Sequence, residues 1–189
     1  MFSKSKWVAL VAAFAAAIVA FSGSPASAAV FKTYSFEYSM NGWQTGYAGG
    51  GSYEMYRSAA ESFSGLYSVE CYLDGTDGSG TAWMVRSFPA PIDTVMTLDL
   101  SFQLYSEEAS SVNNWEVVAY IGTKPPTSED EFETIGYTDV VAGWQEYSFQ
   151  RLQLTGQWPA RVYVALGISS TWEYSKEYYM DQVTVSLTP

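Results

Sequence analysis

The sequence has no histidine, and its 189 residues include one cysteine, Cys71. Without an imidazole, neither a Ser-His-Asp nor a Cys-His nucleophile can be assembled, and histidine-based metallo-hydrolase sites fail as well. A single cysteine allows no internal disulfide. In "SVECYLD" it sits in a strand pattern and reads as a small buried apolar residue. Positive charge is also scarce. Nine Lys and Arg face 20 Asp and Glu, for a formal net charge of −11. Nucleic acids and anionic membranes are bound by basic patches, so this balance argues against both. It suits cation binding and solubility outside the cell. Beyond the first 28 residues there is no long apolar run, and helical periodicity is nearly absent.

The N-terminus carries a different kind of signal. Lys4 and Lys6 precede an apolar stretch from Trp7 to Phe21, and "GSPASA" follows with the small-residue site Ala26-Ser27-Ala28. Charge, apolar stretch and A-x-A site in that order predict a secretory signal peptide over residues 1–28. The run is short for a membrane-spanning helix, so no stable membrane insertion is expected after cleavage. The expected mature chain is residues 29–189, secreted or displayed at the cell surface. Loss of Lys4 and Lys6 takes its formal charge from −11 to −13. That length suits one domain with a proper core.

Short β-branched and aromatic runs recur between Gly, Pro, Ser and Asp clusters. Strands are predicted over 33–38, 52–57, 66–73, 81–88, 94–105, 114–121, 132–137, 144–150, 161–168 and 178–187. In 94–105, Met96, Leu98, Leu100, Phe102 and Leu104 share one face; in 161–168, Val162, Val164, Leu166 and Ile168 do. Many short strands with frequent turn signals point to an all-β, antiparallel β-sandwich. Residues 46–52 and 123–131 read as loops by composition. Trp43, Trp83 and Trp144 lie in strand phrases and are assigned to the core; Trp115, Trp158 and Trp172 are harder to place inside. In the closing run "EYYMDQVTVSLTP", alternation puts Asp181 on one face with Tyr179, Val183, Val185 and Leu187. A carboxylate on an apolar face needs a partner.

Several phrases fall in a familiar order: "SFEYSMNGWQT", "ESFSGLYSVEC", "GTAWMVRSFPAP", "LDLSFQLYS", "GWQEYSF", "RVYVALGIS" and "YYMDQVTV". Over residues 34–187 this resembles the MAM-like and cleaved-adhesin (choice-of-anchor J) jelly-roll domains of the galactose-binding-like superfamily. The resemblance implies a secreted or cell-surface binding module, often with a structural calcium ion. The family's early Phe-Glu matches Phe36-Glu37, and the turn that lends oxygens matches Ser62-Phe63-Ser64-Gly65. Its terminal Asp-Asp-Val matches Asp181-Gln182-Val183, where the second acid is an amide. Glu37, Asp181 and Ser64 are thus the expected metal ligands, the turn lending carbonyl oxygens, since Ca²⁺ takes carboxylate, carbonyl and water oxygens. The alternative is that Asp181 accepts backbone N–H bonds or pairs with Arg or Lys.

Other clusters are weaker. "DGTDGSG" at 74–80 lacks the closing Glu and flanking helices of an EF-hand and reads as a turn. "TSEDEFE" at 127–133 reads as solvated surface. In "SSTWEYSKEYY", Trp172, Glu173 and Tyr174 combine aromatic faces with a carboxylate, which suits sugar C–H faces and hydroxyls. They are the expected ligand contacts. Glu107, Glu108, Glu116 and Glu173 are available for two-carboxylate glycoside chemistry, but no spacing pairs them. The expected function is a non-catalytic binding module for carbohydrate or a surface glycoconjugate. An adhesion protein working through protein contacts or self-association is the alternative, and a small polysaccharide-active enzyme a third reading.

Overall fold

The structure is a computed structural model and describes residues 30–74, 78–155, 160–170 and 174–189. The expected signal peptide lies outside these residues. Among them the chain forms eleven strands: β1 Val30–Tyr34, β2 Gln44–Gly49, β3 Ser52–Ser58, β4 Ser68–Asp74, β5 Gly80–Pro89, β6 Val95–Ser106, β7 Glu116–Gly122, β8 Glu133–Tyr137, β9 Gly143–Thr155, β10 Arg161–Ser170 and β11 Ser175–Thr188. All pair antiparallel. One sheet runs β3-β4-β11-β6-β9, with β1 also on β11; the other runs β2-β5-β10-β7-β8. Two facing antiparallel sheets make the sandwich expected from the sequence.

Strand alternation fills the space between them. Met96, Leu98, Leu100, Phe102 and Leu104 of β6 are buried in one core with Val162, Val164, Leu166 and Ile168 of β10. Burying a side chain of this size stabilises by roughly 1.5–3 kcal/mol, so these two strands alone tie the sheets together. Cys71 is also fully buried there, and burial first, then Glu70, pushes its thiol up to about 12. Trp43 joins this core as expected, and Trp115 is fully buried against Tyr178, at 5.7 Å between ring centres. Trp158 lies outside the described residues.

Three expectations are corrected. Residues 44–49 are strand β2 rather than part of a loop, because Gly46 and Gly49 serve close backbone approach. A Cβ on Gly46 would meet the Trp83 indole at 2.5 Å. Trp83 is buried as expected, 4% exposed, but not between the sheets. Its neighbours Ala82 and Met84 are, so alternation puts the indole on the outer face of the five-stranded sheet, 5.1 Å from the Phe132 ring. Trp144 is likewise outside: Tyr147 and Phe149 face the core, and Trp144 has the opposite parity. Finally, the first strand stops at Tyr34 instead of Tyr38. Phe36 takes a positive φ of 60°, which breaks the strand and buries its ring while freeing Glu37 from the alternation.

The closing strand differs most from its sequence reading. Tyr178 and Met180 face the core, and so do Val183, Val185 and Leu187. These two sets have opposite parity. A β-bulge between Asp181 and Thr184, with Gln182 at φ 50°, reconciles them. Tyr179 and Asp181 therefore lie on the outer face, not on the apolar face shared with Val183.

Candidate functional site

The bulge lies where β11 changes partners on one edge. Residues 175–180 pair with β4, and residues 183–187 pair with β1. Asp181 and Gln182 fall in the seam between the two. The 59–67 loop, which leads into β4, fills that seam. The N–H groups of Phe63 and Ser64 donate to Asp181 Oδ2 at 3.1 and 2.9 Å, and Gln182 N–H donates to Oδ1 at 2.7 Å. Glu37, just past β1, grips the same loop from the other side. Its carboxylate accepts the Leu66 N–H at 3.1 Å and the Tyr67 N–H at 3.3 Å. Gly65 is required here: its φ is +71°, and any Cβ would run into the Glu37 carboxylate. Arg57 completes the clamp. It donates to the backbone carbonyls of Phe36 and Glu37 and lies 3.1 Å over the Tyr67 ring.

The expected metal ligands Glu37, Asp181 and Ser64 are thus brought to one loop. Asp181 is fully buried, and its partners are backbone N–H groups, the alternative considered from sequence. Burial raises its pKa above the usual carboxylate value, with Glu37 adding to the rise and the three N–H bonds opposing it. Two carboxylates and the Ser64 hydroxyl lie at this one loop, oxygen donors of the kind a hard cation takes. Ser64 Oγ already accepts the Gln182 side-chain amide. Among the described residues no group of three or more His, Cys, Asp or Glu side chains gathers at metal-binding range.

A second constellation lies on the outer face of the six-stranded sheet, one residue pair away from the seam. The register aligns Tyr56 of β3 with Glu70 of β4, Glu70 with Tyr179 of β11, Tyr179 with Tyr105 of β6, and Tyr105 with Trp144 of β9. One unbroken row thus crosses five strands. Four inter-strand spacings of about 4.8 Å make it about 19 Å long. The rings touch in sequence: Tyr179 to Tyr105 at 5.9 Å, Tyr105 to Trp144 at 5.5 Å, and Trp144 to Phe63 of the seam loop at 5.6 Å. Tyr179 and Glu70 form the floor, each 8% exposed, while Tyr56 and Phe63 stand 44% and 48% exposed at the two ends. The Tyr56 hydroxyl donates to Glu70 at 2.5 Å. That hydrogen bond, then burial and the charges of Glu70, Glu54 and Glu177, push the Tyr56 phenol up to about 12. Burial, with Glu70 and Glu177, does the same to Tyr179.

This row was missed from sequence because the bulge hides the parity of Tyr179. Of the ligand contacts expected there, Trp172 and Glu173 lie outside the described residues. Tyr174 is 59% exposed and immediately precedes β11, the strand that carries Tyr179. Glu107 and Glu108 line a cavity of about 370 Å³ with Tyr72 and Glu177, next to the row. Glu108 is tied to Lys176, which lowers its pKa. Glu116 is on β7 in the other sheet, accepting from Thr134 at 2.9 Å, so it is not gathered with Glu107 and Glu108. Residues 127–133 form a capped 3-10 turn at Glu129–Glu131, and of "DGTDGSG" residues 75–77 lie outside the described residues.

No family model matches the chain, and no curated protein matches it. Solved structures do. It is similar to a structure of β-sandwich carbohydrate-binding modules described for promiscuous specificity, with a TM-score of 0.55 and 18% identity over 79% of this chain. The chain spans 59% of that protein's length. It is similar to the K3 cleaved adhesin domain of Lys-gingipain from Porphyromonas gingivalis, with a TM-score of 0.57 and 14% identity over 84% of this chain and 99% of that one. A carbohydrate-binding module in complex with β-1,4-galactotriose matches at a TM-score of 0.51 and 11% identity, over 82% of this chain and 97% of that one. What the chain shares with these three is the two-sheet sandwich of carbohydrate-binding and adhesin-like domains.

Proposed function

We propose that the protein is a secreted, non-catalytic carbohydrate-binding module that takes a glycan chain along the aromatic row of the six-stranded sheet. The row itself carries this reading. Rings stand on four of the five strands it crosses, β3, β11, β6 and β9, along about 19 Å, long enough for several pyranose units in line. Aromatic faces stack on sugar C–H faces, and Glu70 supplies a fixed acceptor for hydroxyls. The sandwich shared with carbohydrate-binding modules supports the same reading.

The proposal includes a structural calcium ion held by Glu37 and Asp181, with Ser64 at its edge. It would neutralise two buried-side carboxylates that face one loop. Affinity electrophoresis against a panel of soluble polysaccharides, with Trp144→Ala and Tyr105→Ala beside the parent, tests the binding site. Retardation of the parent that both variants lose is expected. A parent that no polysaccharide retards, but that self-associates in light scattering, would favour the adhesion reading instead.

A further inference from the structure

From the charge around the row we infer its ligand class: a glycan that bears free, protonated amines. This rests on the row being the glycan site. Glu70 stands at the second position of the row itself. Glu54 and Glu177 lie two residues before Tyr56 and Tyr179 on their strands, both aligned with Tyr72, so they share the outer face and form a parallel row. Glu146 lies two residues after Trp144, and its carboxylate accepts from Gln103 at 3.2 Å. Four carboxylates therefore line a face about 19 Å long.

Among the described residues none of the four is in an ion pair. Arg57 is spent on the backbone carbonyls of Phe36 and Glu37 and on the Tyr67 ring. Lys176 is paired with Glu108. The other described cations are on β1, β5, the 123–132 segment, β9 beyond Gln150, and β10. A neutral sugar needs a hydrogen-bond acceptor or two; it gains nothing from four like charges. An ammonium on successive sugar rings gains twice. It pairs with the carboxylates, and it lies over the electron-rich faces of Tyr and Trp, which attract cations most strongly where water is reduced.

The experiment measures binding of three oligosaccharides of equal length and linkage: a chitosan oligomer with free amines, its N-acetylated chitin counterpart and a cello-oligomer. Calorimetry is run at an ionic strength of about 0.01 M, where charges act over about 30 Å, and again at about 1 M, where they act over about 3 Å. The chitosan oligomer should bind about tenfold tighter than either neutral oligomer at low salt, and most of that advantage should vanish at high salt. Glu54→Gln with Glu177→Gln, checked for folding by circular dichroism, should remove most of the chitosan advantage and leave neutral binding within about twofold. Equal affinities at low salt, or an advantage that survives in the double variant, would overturn the amine assignment while leaving the aromatic site intact. No binding of any oligomer, or tighter binding of a lysine-rich peptide than of chitosan, would overturn the glycan reading with it.

Discussion

Replacing Asp181 by alanine isolates the seam's contribution. The parent carboxylate accepts three backbone N–H bonds, from Phe63, Ser64 and Gln182. Alanine leaves all three donors stranded. A hydrogen bond of this kind contributes about 1 kcal/mol net, and more to a charged acceptor. Phe63 is partly exposed, so water reaches its end of the loop once the loop loosens. The lower figure therefore applies, about 3 kcal/mol in total. Relief of burial and of repulsion from Glu37 works in the opposite direction and offsets part of it. For a domain of this size, about 3 kcal/mol corresponds to a fall in Tm of roughly 6–12 °C. Calorimetry at neutral pH in chelator measures it without any metal contribution. Hydrogen exchange should show protection lost first at the Phe63 and Ser64 amides. A variant that melts within about 2 °C of the parent, below the range worked out above, would refute the hydrogen-bond clamp. The same pair of proteins tests calcium. An ion bound only to the folded state raises Tm, so calcium should lift the parent and leave Asp181→Ala where it was in chelator. Equal melting of the parent in calcium and in chelator would remove the ion from the proposal.

Asp181 also sets a pH dependence. Its folded pKa lies above the ordinary value of 3.8, so the folded state holds that proton more tightly than the unfolded chain. Its contribution is full below 3.8 and is lost as pH rises through the folded pKa; Asp181→Asn should flatten that part of a Tm-against-pH curve. Arg57→Ala loses two bonds to carbonyls and the stack on Tyr67, and should lower stability by about 2 kcal/mol in chemical denaturation. Cys71, buried and held near 12, should resist thiol reagents at neutral pH until the protein is unfolded; rapid labelling of the native state would contradict its burial. Gly167→Ala drives a Cβ into the Ala82 carbonyl and to 2.8 Å from Trp83 Cα, so it should cost about 1–3 kcal/mol or prevent folding, read by circular dichroism.

The sandwich was legible in the sequence because strands such as β6 and β10 keep one parity from end to end, and a buried face imposes that parity strictly. Strand β2 was not, because its information is negative. Gly46 and Gly49 look like loop residues until the Trp83 ring beside the first and the Gly80 backbone beside the second are in view. Trp83 and Trp144 were assigned to the core because they lie in strand phrases. Their neighbours' parity turns both to outer faces, where Trp83 is still buried, a signal the sequence did hold. Glu37 and Asp181 were named by resemblance, and both meet the 59–67 loop. What the residues do there, accepting backbone N–H groups, depends on a loop conformation that no periodicity encodes.

The closing strand joins these threads. "EYYMDQVTV" contains its own warning: Tyr178 and Met180 have one parity, Val183, Val185 and Leu187 the other, and both sets are apolar. A regular strand must expose one of them. One extra residue at the bulge buries both, and the cost is a seam that β4 and β1 leave open. Asp181 and Glu37 close that seam by holding the 59–67 loop in it. The same slip turns Tyr179 outward, between Glu70 and Tyr105, where it completes the row. Without the bulge Tyr179 would have to point inward for Val183 to stay buried, and the row would break at its middle strand. The acid that looked misplaced on a core face is thus the latch of the irregularity that builds the outer one.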